Sequence, residues 1–223
     1  MQVMQAIQDR CSIRGFKPDP VPKEMLQQLL QAAVRAPSAM NSQPWEFTVL
    51  AGSALQKIQD KSAEKFRSGQ DPAPELAPGN WPRDSVYRRR QTDLAKQIFS
   101  LLGIGREDKE KRVAWAEKGI KFFQAPAAII ICTDRQLPEC EPLLDIGAAV
   151  QNICLAAVDQ GLGTCIEVQG VGYPEVIREI TGIGQEKRIL LGIAAGWPDW
   201  EDPANQLRSN REDPDTLTTW MGF

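Results

Sequence analysis

Histidine is absent from all 223 residues. That omission removes the Ser-His and Cys-His nucleophile arrangements and the usual zinc ligand, and it leaves little side-chain acid–base chemistry near neutral pH. The five cysteines, at 11, 132, 140, 154 and 165, form no CxxC pair and no metal-like spacing. No metal is therefore expected, and a reducing, cytoplasmic compartment fits best. No GxGxxG fingerprint follows a predicted strand, so the Rossmann type of dinucleotide site is not indicated. Long apolar runs are missing too: Ala125–Cys132 and Ile189–Ala195 suit buried strands and are far too short to span a bilayer. The amino terminus alternates apolar residues with glutamines and Asp9 and lacks the apolar core of a signal peptide. A net charge of −3 and a pI near 5.2 give no pull toward nucleic acid or an anionic membrane.

With 42% hydrophobic residues, the chain has enough apolar content for one substantial core, and it reads as a single domain over 1–223. Apolar periodicity predicts an N-terminal helix, a helix over 23–35, a strand over 46–50 and a helix over 53–65. After an irregular segment come strands at 127–133, 164–168 and 188–195, with helices at 142–160 and 173–180. Strands separated by helices imply an α+β or α/β sandwich around a central mixed β-sheet. The 142–160 helix is apolar nearly all round, with Leu144, Ile146, Val150, Ile153 and Cys154 beside small Gly147, Ala148, Ala149, Ala156 and Ala157. Such a helix is buried, in a core or between subunits.

Two segments carry polar chemistry. In APSAMNSQPWEF, residues 36–47, Pro37 ends a helix. Ser38, Asn41, Ser42 and Gln43 then line a loop that Pro44 closes before Trp45, Phe47 and Val49 alternate as a strand face. A polar loop fixed at both ends suits a ligand clamp. Near the amino terminus, Arg10, Cys11, Ser12, Ile13, Arg14, Gly15 and Phe16 set two guanidiniums four positions apart, suited either to one phosphate or to a solvated helix face. Cys11 and Cys165 have no activating base in sight and fit small apolar fillers better than nucleophiles. Glu167 falls in a strand pattern, open to reading as a surface carboxylate or as a proton donor.

These segments, the run Asp145–Ala157 leading into Gly161–Cys165, and the tail Gly196–Asp199 through Asn205, Arg208 and Arg211 occur in one order. That order resembles the nitroreductase family of FMN-dependent enzymes over nearly the whole chain. The resemblance implies an α+β nitroreductase-like homodimer, with the 142–160 helix at the dimer interface and the flavin between subunits. It implies electron transfer from NAD(P)H to nitroaromatic or quinone acceptors by a ping-pong mechanism, with no catalytic residue beyond the flavin. Carried over residue by residue, Arg10 and Arg211, with Arg208 or Ser12, would hold the phosphate, and Cys11 lies among them. Arg14 and Lys121 would face the pyrimidine edge, Ser38, Asn41 and Gln43 would bond the ribityl chain and ring, and Pro37 and Ala39 would shape that backbone. Gln169 and Gly170 would offer backbone N–H groups near flavin N5. Many relatives have asparagine where this chain has Lys121.

Residues 67–119 match no flavin motif. Four prolines and two glycines make 70–82 an irregular arm, followed by helices over 87–102 and 109–123. An insertion of this length reads as an active-site cover that selects the acceptor, with Trp81, Tyr87 and Phe99 as candidate lining residues. Its form is similar to that of the nitrobenzoate-reductase-like branch. The same scaffold also fits dehalogenation, enoate reduction or flavin fragmentation, and a binding protein for flavin or a phosphorylated metabolite without turnover.

Overall fold

A computed structural model describes residues 1–76 and 79–223; Pro78 of the predicted arm lies outside them. A four-stranded sheet organises the chain: β1 (Glu46–Ala51), β2 (Ala127–Asp134), β3 (Gly163–Glu167) and β4 (Lys187–Gly196), in the order β1-β2-β4-β3. All three strand pairings are antiparallel, with a bulge at Ile131/Cys132. Parallel pairing, which a mixed sheet requires, enters through the isolated bridge between Ser12 and Thr164 on the outer edge of β3. The N-terminal segment thus extends the sheet where no fifth named strand does.

Both faces of the sheet are covered, which is why β2 reads as an unbroken apolar run rather than as an alternating one. On one face α2 (Lys23–Ala33) and α6 (Glu141–Asp159) pack through Leu26, Leu29, Ile146, Val150 and Ile153 against Ile129, Ile131 and Ile193. On the other face lie α3 (Gly52–Arg67), α5 (Lys109–Ile120) and α7 (Pro174–Thr181), above Ile130, Cys165, Ile189 and Ala194. Helix α2 stops at Ala33, four residues before Pro37, because the proline ring cannot accommodate the carbonyl at that spacing.

Helix α6 has the length and apolarity of a membrane span, but Ile146, Ala149, Val150, Ile153, Cys154 and Ala157 are buried against the sheet and α2. Its outer stripe, Leu144, Gly147 and Gln151, is exposed, as are Val3, Met4 and Ile7 of α1 (Val3–Asp9). The apolar circumference therefore has one face unfilled within the single chain.

Helix α4 (Val86–Leu101) closes a small separate core. Ile98, Leu94 and Phe99 meet Trp115 of α5, Ala204 of the 3-10 turn Pro203–Gln206 and Leu207 just after it. The arm before it is strapped down. Tyr173 donates its hydroxyl to Gln70 O at 2.6 Å, and Ala73 N donates to Gly172 O at 2.8 Å. The Glu75 carboxylate accepts from Arg178 Nη2 at 2.9 and 3.0 Å, from Ile189 N at 2.6 Å and from Arg135.

Candidate active site

The N-terminal segment is fixed to the outer edge of β3. Ile13 N donates to Thr164 O at 2.9 Å, and Lys17 N donates to Trp197 O at 2.9 Å. Between these anchors the backbone is held by Asn205, which is 1% exposed. Its Oδ1 accepts from Arg14 N at 2.7 Å and Gly15 N at 3.2 Å, while Nδ2 donates to Gly15 O and Asp199 O, both at 2.7 Å. A buried amide with all four bonds made fixes the backbone from which Arg14 projects. Gly15 is required here, because a Cβ would run into the Asp202 side chain.

Along this edge Arg10, Ser12 and Arg14 act on β3 and α6. Arg10 and a hydrogen bond to Thr164 both temper the burial that raises the Cys154 thiol pKa. Burial pushes Cys165 up to about 12, against the opposing effects of Arg14 and Ser12. With Cys11 half-buried and neither thiol exposed, Cys154 and Cys165 are packing groups rather than nucleophiles. The Arg14 guanidinium lies 6.0 Å from the Phe123 ring centroid.

Lys118 joins this group. Its Nζ bonds Asp202 Oδ2 at 2.8 Å, and Asp202 packs on Gly15. Lys121, the predicted cation at the end of α5, lies 4.0 Å from Asp60 of α3. Lys118 is one helical turn earlier, on the same helix. The turn after α5 is strained: Phe122, Phe123 and Gln124 have φ of 52, 52 and 58°, a region costly for residues with a Cβ. It drives the Phe122 ring between Gly170 and Gly192, where a Cβ would approach it to 2.6 and 2.5 Å. Gln169 is exposed beside Gly170, with its amide against Gly119.

The 36–47 loop is elsewhere. Ser38 Oγ accepts from Gln43 N at 3.0 Å, Ala39 N donates to Asp145 Oδ2 at 3.0 Å, and Gln43 Nε2 reaches Asn41 O. Met40, Asn41 and Gln43 have φ of 50, 60 and 46°, and Met40 is 100% exposed. This strained, outward loop enters β1, at the opposite edge of the sheet from the arginine segment on β3. Three interstrand steps, about 14 Å, separate the two edge strands. The two polar segments of one chain thus lie at opposite edges of its sheet.

Neither tail arginine joins Arg10 and Arg14 directly. Arg208 lines a cleft of about 400 Å³ with Cys11, Ile13, Leu162 and Trp200, and it donates to Asn205 O at 2.8 Å. Arg211 is exposed and, among the described residues, bonds only within its own stretch, to Ser209 and Asn210. In the insert, Trp81 and Tyr87 are exposed and face one another with ring centroids 5.3 Å apart and planes tilted by 36°. Phe99 is not with them. It packs in the α4 core with the Arg112 guanidinium 4.6 Å from its ring centroid. Among the described residues no cluster suited to a metal ion occurs.

The four-stranded antiparallel sheet with helices on both faces, extended at its β3 edge by the Arg10–Phe16 segment, defines a class: the chain belongs to the nitroreductase family, whose model matches residues 7–197. It is 33% identical to the nitrobenzene nitroreductase of Ectopseudomonas oleovorans, over 96% of this chain and 95% of that one. It is 29% identical to the 4-nitrobenzoate reductase of Pseudomonas putida, over 97% and 94%. The fold superposes with a TM-score of 0.94, at 28% identity and over 100% of both chains, on the structure of the FMN and NADPH-dependent nitroreductase NfnB from Sphigopyxis sp. strain HMH.

Proposed function

We propose that the chain is an FMN-dependent oxidoreductase that passes electrons from NAD(P)H to a small nitroaromatic or quinone acceptor, working as a homodimer in the cytoplasm with each flavin between subunits. The observation that carries the reading is the division of the polar residues between the two sheet edges. Arg10, Ser12 and Arg14 lie in the segment that bridges to β3, and Ser38, Asn41 and Gln43 lie before β1. The apolar residues left exposed support the pairing: Val3, Met4 and Ile7 on α1, Leu144 on α6, and Leu217, Trp220, Met221 and Phe223 on the tail, since large exposed apolar patches mark interfaces.

The residues fit FMN. Arg10 and Ser12, with Arg208 and Arg211 from the tail, would hold the phosphate, and guanidinium groups suit its charge and geometry. Arg14 and Lys118, with Lys121 nearby, would supply fixed positive charge at the pyrimidine edge, where negative charge grows on reduction. Gln169 and Gly170 would present backbone N–H groups to the ring, and the 36–47 loop of the other copy would bond the ribityl chain through Ser38, Asn41 and Gln43, with Pro37 and Ala39 shaping it. When bound, the flavin supplies reversible two-electron chemistry between a nicotinamide and an oxidised acceptor. Residues 67–119 would cover the site, with Trp81 and Tyr87 facing an aromatic acceptor.

The test is steady-state oxidation of NADPH and NADH with nitrobenzene or a benzoquinone as acceptor. Turnover that depends on the acceptor supports the reading. A protein that binds FMN but oxidises neither nicotinamide with either acceptor would instead be a flavin carrier or sensor.

A further inference from the structure

Glu167 ends β3, on the same sheet face as Cys165 and opposite Gly192 of β4. It is 7% exposed, and both carboxyl oxygens are buried without a hydrogen-bond partner. An ionised carboxylate so placed would lose its hydration with nothing in exchange. Burial accordingly pushes its pKa well above the ordinary 4.5, with Arg14 pulling the other way. Yet among the described residues Arg14 makes no ion pair with it. The guanidinium is instead turned toward the Ser12 carbonyl, at a long 3.4 Å, and the Phe123 ring.

We propose that Glu167 is a positioning residue for Arg14: as a neutral acid it leaves the guanidinium free for the bound flavin, and once ionised it draws the guanidinium onto itself. The proposal rests on the reading above that Arg14 serves FMN. The groups around the carboxyl leave Arg14 as its charged partner. Cys165, two residues back on the strand, is a thiol that burial keeps protonated. Strand β4 offers Gly192, with the Phe122 ring against it, and Lys118 and Lys121 are directed to Asp202 and Asp60.

The experiment compares wild type, Glu167→Gln, Glu167→Leu and Arg14→Ala, stripped of flavin and titrated with FMN between about pH 6 and pH 9. The ionisations of FMN itself are common to all four proteins. In wild type, affinity should fall by roughly tenfold more across this range than in Glu167→Gln, the equivalent of losing one charge-assisted bond. Glu167→Gln, which mimics the neutral acid, should lose that extra dependence, as should Arg14→Ala. Equal pH dependence in wild type and Glu167→Gln overturns the proposal. So does a Glu167→Gln affinity tenfold below wild type at pH 6, since an ionised carboxylate would then be required.

Thermal melting of the flavin-free proteins supplies a second readout, which also covers a Leu variant that fails to fold. Above about pH 4.5 the unfolded chain releases the Glu167 proton and the folded chain keeps it, so wild-type stability falls with rising pH relative to Glu167→Gln. Parallel melting curves would refute the neutral acid whatever the flavin data show. If no protein binds FMN at any pH while the melting curves diverge, the flavin reading fails, and the role assigned to Arg14 fails with it.

Discussion

Asn205 holds the arginine segment in place, and removing it should damage folding and ligand binding together. Its amide makes four hydrogen bonds to backbone groups: Arg14 N, Gly15 N, Gly15 O and Asp199 O. At about 0.5–1.5 kcal/mol net per bond, the set contributes roughly 2–6 kcal/mol. In Asn205→Ala the space vacated admits water, which restores some partners, so the expected loss is about 3 kcal/mol. Asn205→Leu keeps water out and leaves the same groups unsatisfied, so it should lose about 1 kcal/mol more. For a chain of this size, 3 kcal/mol lowers the melting temperature by roughly 6–12 °C. Urea unfolding of the flavin-free protein gives the free energy, and FMN titration of the folded fraction should show roughly tenfold weaker binding as Arg14 loses its fixed backbone. If both variants unfold within about 0.5 kcal/mol of wild type and bind FMN normally, the bonds from Ile13 and Lys17 on either side suffice and Asn205 is incidental.

Glu75→Gln removes the charge that ties the arm to the buried Arg178, whose side chain is 8% exposed. It should destabilise by about 3 kcal/mol, the low end for breaking a buried pair, since Arg178 keeps carbonyl acceptors on Ile183, Gly184 and Lys187; an unchanged urea midpoint would show the strap to be dispensable. Because the two polar segments belong to different copies in the proposed dimer, a hybrid of an Arg10→Ala/Arg14→Ala subunit with an Asn41→Ala/Gln43→Ala subunit should regain one intact site in two. Hybrids that bind no more FMN than either parent would place both segments in one chain's site. Trp81→Ala and Tyr87→Ala should alter the ratio of kcat/KM between nitrobenzene and a quinone while leaving FMN content intact, and Phe99→Ala should chiefly lower stability. An unchanged ratio in both aromatic variants would move acceptor choice out of the insert.

The elements were legible because each carries its own periodicity. The 142–160 helix, the 127–133 strand and the helices of the insert all lie within a few residues of α6, β2, α4 and α5. The family was legible because its motifs keep their order. Strand order was not legible, since nothing local in residues 36–47 or 10–16 says that they enter opposite edges of one sheet. Glu167 could have been read further: it alternates with Cys165 on a strand whose exposed residue is Ile166, which puts the carboxylate inside. In sequence Phe99 reads with Trp81 and Tyr87, yet Ile98 beside it and the tail's Ala204 and Leu207 form the core it joins. Likewise Pro72 and Pro74 suggest an irregular arm, and only tertiary contacts, such as that between Glu75 and Arg178, show how it is tied.

The central claim is that this fold holds FMN, and heat denaturation of the purified protein tests it most directly. The account predicts a yellow protein that releases close to one flavin per chain, identified by chromatography as FMN rather than FAD, because the cation set along β3 suits one terminal phosphate and no GxGxxG fingerprint is present. A colourless protein that neither releases FMN nor takes it up on reconstitution would contradict it.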